Sequence, residues 1–168
     1  MNTRLAFLLL LVLSVRPAPA GVVINEIFYN APADIPNLQW VELLNDSDQG
    51  VDLAGWRLSK GVRFRFPAGS RIEPHGFLVL CGDLDQFKRY YPVPVAGRFE
   101  GVLKKGGEGL ELRDASGGVV DAIEFSDRPP WPRSPAGHTA SLERISPSAS
   151  GMGPENWMGS PLSEDDAT

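Results

Sequence analysis

Two carboxylates stand where a charge is costly. Glu26 lies inside Ile24-Asn25-Glu26-Ile27 and Glu42 inside Trp40-Val41-Glu42-Leu43, both otherwise apolar runs. A carboxylate in such surroundings should be paired or hydrogen-bonded. Two chemistries fit that demand. In a glycoside hydrolase a pair of carboxylates faces the scissile bond across a cleft, about 5–5.5 Å or about 6.5–9.5 Å apart according to the stereochemistry. In a structural role each carboxylate accepts local donors and fixes strand register, with Arg57 or Arg144 as a possible partner. Nothing near either residue supplies an aromatic-rich substrate cleft, so the structural role is the stronger reading. On it, Glu26→Gln and Glu42→Gln cost stability and remove no activity.

Other residues with chemical potential fall short of a site. His75 and His138 are 63 positions apart, both in predicted turns, whereas metal-binding pairs come at close spacing. No Gly-x-Ser-x-Gly nucleophile elbow is present. The run Lys104-Lys105-Gly106-Gly107-Glu108-Gly109 lacks the strand-to-helix context and the Gly-Lys-Ser/Thr end of a phosphate loop, and reads as a hairpin turn. Asn45-Asp46-Ser47-Asp48-Gln49-Gly50 resembles a calcium loop at first glance. With Gly50 in the sixth place, the twelfth falls on Trp56, where a bidentate Glu is required. Asx and Gly residues are also what a turn between strands demands, and the turn is the stronger reading over calcium at Asp46 and Asp48. The sequence therefore offers no catalytic set, no cofactor site and no metal site.

Binding residues are easier to find. The segment Asp127 to His138 carries Arg128, Trp131 and Arg133 among four prolines. Prolines reduce the entropy lost when a loop is ordered, and Trp and Arg dominate binding hot spots. The competing reading is that Trp131 merely covers one end of the fold. Asn30 to Leu38 is a second candidate surface.

Short strands must position these residues. Gly (18 residues) and Pro (15) divide the chain at short intervals. Between them, period-two alternation and β-branched or aromatic residues mark strands at Val22–Tyr29, Trp40–Leu44, Trp56–Ser59, Val62–Phe66, Leu110–Arg113, Val119–Phe125 and Ala140–Ile145. Phe77–Cys81 is continuously apolar and reads as a central strand buried on both faces. Asp83–Tyr91 is the one helical segment, acidic at its start and stopped by Pro92, with Leu84, Phe87 and Tyr91 on one face. It is too short to stand alone and reads as a crossover docked on the sheet edge. The fold class is all-β, a sandwich or barrel with one short helix in a connection. Trp40, Leu43, Leu53, Trp56, Leu58, Phe66, Leu78, Leu80, Leu110, Leu112 and Ile123 belong in or beside its core, and Gly55 before Trp56 marks a backbone conformation that other residues avoid.

The N-terminus reads as a secretory signal. Arg4 precedes the apolar run Leu5–Val15, and Pro17-Ala18-Pro19-Ala20 supplies small residues for cleavage after Ala20. The apolar run is too short for a spanning helix, which needs about 20 residues, so the mature form carries no transmembrane span. Residues 1–20 are the signal peptide, 21–160 the domain and 161–168 a disordered tail. Loss of Arg4 and Arg16 shifts the formal charge from −5 to −7. An acidic module without clustered Lys and Arg does not suit nucleic acid. Cys81 is the single cysteine; at the end of an apolar strand it reads as a buried residue.

The same blocks carry a family resemblance. Val23-Ile24-Asn25-Glu26-Ile27, then Trp40-Val41-Glu42-Leu43-Leu44-Asn45, then Val51-Asp52-Leu53-Ala54-Gly55-Trp56-Arg57-Leu58 resemble the lamin tail domain family. So do Phe66-Pro67-Ala68-Gly69, Gly76-Phe77-Leu78-Val79-Leu80, Leu110-Glu111-Leu112-Arg113-Asp114, Gly118-Val119-Val120-Asp121, Ser141-Leu142-Glu143-Arg144 and Trp157. The resemblance implies an immunoglobulin-like β-sandwich without catalytic residues or cofactor. The secretory signal, and the absence of a coiled-coil rod or basic nuclear-localisation run, set the chain apart from nuclear filament proteins and favour the bacterial, exported type. The expectation is a non-catalytic binding or structural module of the cell envelope or an extracellular complex. It would be periplasmic, at the cell surface or outside the cell, with a protein or envelope polymer as partner. The alternative is a targeting module of a secreted hydrolase, or a part of one.

Overall fold

The computed structural model describes residues 21–132 and 141–160. The expected signal peptide, the 161–168 tail, Arg133 and His138 lie outside the described residues. Twelve strands and one α-helix follow in order: β1 (Val22–Phe28), β2 (Trp40–Asn45), β3 (Val51–Asp52), β4 (Arg57–Ser59), β5 (Phe64–Arg65), β6 (Arg71–Ile72), β7 (Phe77–Cys81), α1 (Leu84–Tyr90), β8 (Val95–Arg98), β9 (Gly107–Arg113), β10 (Val119–Ser126), β11 (Leu142–Arg144) and β12 (Trp157–Gly159). One sheet has the order β12-β11-β1-β2-β7-β8, a second β10-β9-β4-β5, and β3 pairs with β6 apart from both. This is an immunoglobulin-like β-sandwich: alternation and turn residues predict a sandwich or barrel, and the family resemblance implies the immunoglobulin-like form.

Alternation decides which side chains meet between the sheets. From the six-stranded sheet Val22, Ile24, Ile27, Val41, Leu43, Leu80, Leu142 and Trp157 point inward. They pack on Leu58, Phe66, Leu110, Leu112, Ile123 and Phe125 from the facing side. Leu53 and Trp56 join this core, and Leu78 packs against it. Gly55 sits at φ 77°, a left-handed turn between Leu53 and Trp56 that a side chain would strain. In the β5 region Val62 and Phe66 are buried while Arg63 and Arg65 are exposed, the half-buried pattern read from their alternation.

Three expectations need correction. Trp40 is not in the main core; it lies on the outer face of the six-stranded sheet, against Phe28 and Tyr91. β7 is not buried throughout, because Phe77 at its start is 61% exposed, and only Val79, Leu80 and Cys81 are covered. The glycine run at Lys104–Gly109 does turn, with the Gly107 amide bonded to the Lys104 carbonyl. It is no hairpin, since β8 and β9 belong to different sheets.

The helix does what its pattern requires. Asp83 caps α1 by accepting from the Asp85 and Gln86 amides. β7 and β8 are parallel neighbours, so α1 is the crossover that their pairing demands. Its apolar face, Leu84, Phe87 and Tyr91, covers Trp40, Val79 and Cys81. The loop after β1 adds Ala31, Ile35 and Leu38 over Phe28 and Trp40. One half of the outer face of the six-stranded sheet is thereby covered.

Candidate functional site

Glu26 and Glu42 project from the other half of that face. Strand register makes them direct neighbours: Glu26 of β1 stands opposite Glu42 of β2 on one side and Glu143 of β11 on the other. A bulge between Ile24 and Glu26 produces this arrangement, turning both Asn25 and Glu26 away from the core. The next positions along the row are Val79 of β7 beside Glu42 and Met158 of β12 beside Glu143.

Among the described residues neither carboxylate has a cationic partner. Glu26 accepts from the Ser141 hydroxyl, and Glu42 accepts from Asn25 Nδ2 at 3.0 Å. The expected cations are elsewhere. Arg144 points into the sandwich, and Arg57 belongs to β4 in the opposite sheet. Burial, with the charges of Glu42 and Glu143, pushes Glu26 up to about 7 against the pull of its Ser141 hydrogen bond. Burial also raises Glu42, helped by the Glu143 charge and opposed by the bond from Asn25. This changes the expected sign of a Glu26→Gln substitution, because the group most affected by its charge is another acid. The row lies on a strand face, with adjacent strands about 4.7–4.9 Å apart, and not across a cleft.

Arg144 forms the one deeply buried ion pair among the described residues. Its Nη1 donates to Asp121 Oδ2 at 2.7 Å and to the Ile24 carbonyl at 3.1 Å. Nη2 donates to the Ala149 carbonyl, Nε to the Ser146 carbonyl, and the guanidinium lies 5.9 Å from the centre of the Trp157 ring. Asp121 Oδ2 also accepts from the Ile24 amide at 2.8 Å. β10, β11 and β1 are thus tied across the two sheets. Sequence reasoning missed Asp121, although it falls in phase with Ile123 and Phe125, which are buried.

The remaining candidates separate. Trp131 is half-buried, packs against the main core and lies 6.4 Å from the Trp157 ring. Arg128 has an 85% exposed side chain, 3.8 Å from Asp127. In the Asn45–Gly50 turn the organiser is Asn45. Its Nδ2 donates to the Gln49 and Glu73 carbonyls at 2.7 and 2.9 Å, and its Oδ1 accepts from Ser47. Asp48 faces His75 Nε2 at 2.9 Å, and Asp46 is exposed. Among the described residues no three His, Cys, Asp or Glu side chains gather as a metal site requires, and no helix is long and apolar enough to cross a membrane. Cys81 is fully buried, and burial raises its thiol.

No curated protein is significantly similar to the chain. The family model of the Lamin Tail Domain, a non-enzymatic immunoglobulin-like domain, matches residues 16–127. That match covers about two thirds of the sequence and spans β1 through β10, so the chain belongs to the lamin tail domain family.

Proposed function

We propose that this chain is an exported, non-catalytic binding or structural module of the cell envelope or of an extracellular complex. One observation carries the non-catalytic part. The two carboxylates that a hydrolase would use lie side by side on one strand face, held by Ser141 and Asn25, in a family of binding and structural domains. Export is supported by the apolar run and small residues of the first 20 positions. The partner is a protein or envelope polymer and not nucleic acid, in keeping with the mature charge of −7 that loss of Arg4 and Arg16 leaves from −5. Arg128, Trp131 and Arg133 form a candidate contact loop.

The test has three parts. Mass spectrometry of protein recovered outside the cytoplasm should find Gly21 at the N-terminus; an intact Met1 would refute cleavage. A broad glycan and ester panel should show no turnover, and turnover abolished by Glu26→Gln or Glu42→Gln would refute the non-catalytic reading. A pull-down from the native extract should recover a partner. Recovery lost with Trp131→Ala in a variant that calorimetry shows still folded at the assay temperature would support a contact on the loop, and recovery equal to wild type would move it elsewhere.

A further inference from the structure

We infer that the half of the outer face of the six-stranded sheet that the described residues leave open docks a polypeptide segment in which Lys or Arg side chains alternate with apolar ones. This rests on the reading of the chain as a binding module and names its surface and the chemistry of its partner. Strand register lays two rows across the sheet. The first runs Val79, Glu42, Glu26, Glu143, Met158; the second runs Phe77, Leu44, Val23. At about 4.7–4.9 Å between strands the three carboxylates span about 10 Å, and the apolar row lies two residues, about 7 Å, along the strands.

The apolar part is unlike an ordinary solvated face. Where one side of a sheet meets water, outward positions are normally polar. Here Phe77 is 61% exposed and Met158 41%, and Ile145, in phase with Glu143 just after β11, is 56% exposed. Exposed apolar side chains grouped on one face, bordered by charge, mark an interaction surface.

Charge selects the occupant. No outward position on β1, β2, β7, β11 or β12 is Lys or Arg. A second copy docked through the same face would set one carboxylate row against another. An anionic polymer would be repelled, and a wholly apolar partner would bury the carboxylates unpaired. Ammonium or guanidinium groups discharge the row, while aliphatic side chains cover Phe77, Leu44 and Met158. Such pairing steers association and selects partners.

The arrangement also makes docking sensitive to pH. Among the described residues the groups facing Glu26 are Glu42 from β2, Glu143 from β11 and the Ser141 hydroxyl, with no cation among them. A docked cation favours the ionised carboxylate, and acidification removes the charge it binds. Affinity therefore falls as pH drops from 8 to 6.

The experiment uses the exported protein as purified and a short fluorescein-labelled peptide of alternating Lys and Leu, read by anisotropy. A Glu/Leu peptide is the negative probe. Glu26→Gln/Glu42→Gln/Glu143→Gln is compared with Glu100→Gln/Asp46→Asn/Glu124→Gln, which removes the same charge from exposed positions elsewhere. The first triple variant should weaken Kd about tenfold and lose the pH dependence, and the second should stay within about twofold of wild type. Phe77→Ser should weaken binding about threefold. Equal losses in the two triple variants, or none in the first, would overturn the proposal. So would a native partner recovered equally by wild type and the first triple variant but lost with Trp131→Ala; that outcome leaves the binding-module reading standing. Turnover on the glycan and ester panel would remove the binding-module reading itself.

Discussion

Replacing Glu26 with Gln should stabilise the protein at neutral pH. The amide keeps an oxygen that can accept from the Ser141 hydroxyl, while the charge facing Glu42 and Glu143 disappears. The size follows from linkage. Glu26 rises from 4.5 to about 7 on folding, so the folded state holds a proton that the unfolded chain releases over that window. A group raised in this way contributes most below its unfolded value, and the contribution is lost as pH climbs through the folded value. At about 1.36 kcal/mol per unit the shift corresponds to about 3 kcal/mol; allowing for the partial exposure of the site roughly halves it, to about 1.5 kcal/mol. That is about 3–6 °C in Tm for a domain of this size. Urea unfolding followed by tryptophan fluorescence at pH 5, 6, 7 and 8 measures it. The variant should lie within about 0.5 kcal/mol of wild type at pH 5 and exceed it by about 1.5 kcal/mol at pH 8. A difference that stays constant across the series, or a variant less stable at pH 8, would refute the reasoning.

Arg144→Met should cost about 3–5 kcal/mol, because it leaves Asp121 buried without its cation; a urea midpoint shift worth less than about 1 kcal/mol would contradict that. Gly107→Ala should destabilise by at least about 1 kcal/mol, since Gly107 has φ 104° and a Cβ there would overlap the Phe125 carbonyl; an unchanged Tm would refute the clash. Trp131→Ala should lower stability by about 1–2 kcal/mol through its lost packing on the core and Trp157, and calorimetry reads this alongside the pull-down. Cys81, buried and with its thiol raised, should react with a disulfide reagent at pH 7 only after urea unfolds the protein; rapid labelling of native protein would place it at the surface.

Most of the longer strands were readable because they carry their own alternation, whereas β3, β6, β8 and β12 are too short to show one and were not read. Val62-Arg63-Phe64-Arg65-Phe66 announces one buried and one solvated face, and Gly55 announces its turn. Asp83 and Pro92 bound α1 within a residue or two. Register was not readable. The row of Glu42, Glu26 and Glu143 depends on a bulge at Asn25 and on β11, which lies far along the chain from β1. No local pattern encodes either. The reading of Arg144 as a partner for Glu26 failed for the same reason. Both are strand residues, but Arg144 is in phase with inward Leu142, and Glu143 is the residue that faces out. Phe77 looked buried because composition alone does not show where a covering helix ends.

β1 lies in the middle of its sheet, yet its two partners come from opposite ends of the sequence: β2 follows it closely, and β11 begins only at Leu142. As the chain emerges from synthesis, every strand through β10 is available while β1 still presents an open edge. Closing that edge is the long-range, entropically slow step of assembly, and an open edge in the meantime is a template for mispairing. β11 ends the interval in one act, since the strand that seals β1 also delivers Arg144 to Asp121. A chain cut after Asp127 would retain every strand within the family match but would leave β1 unsealed and Asp121 without its cation.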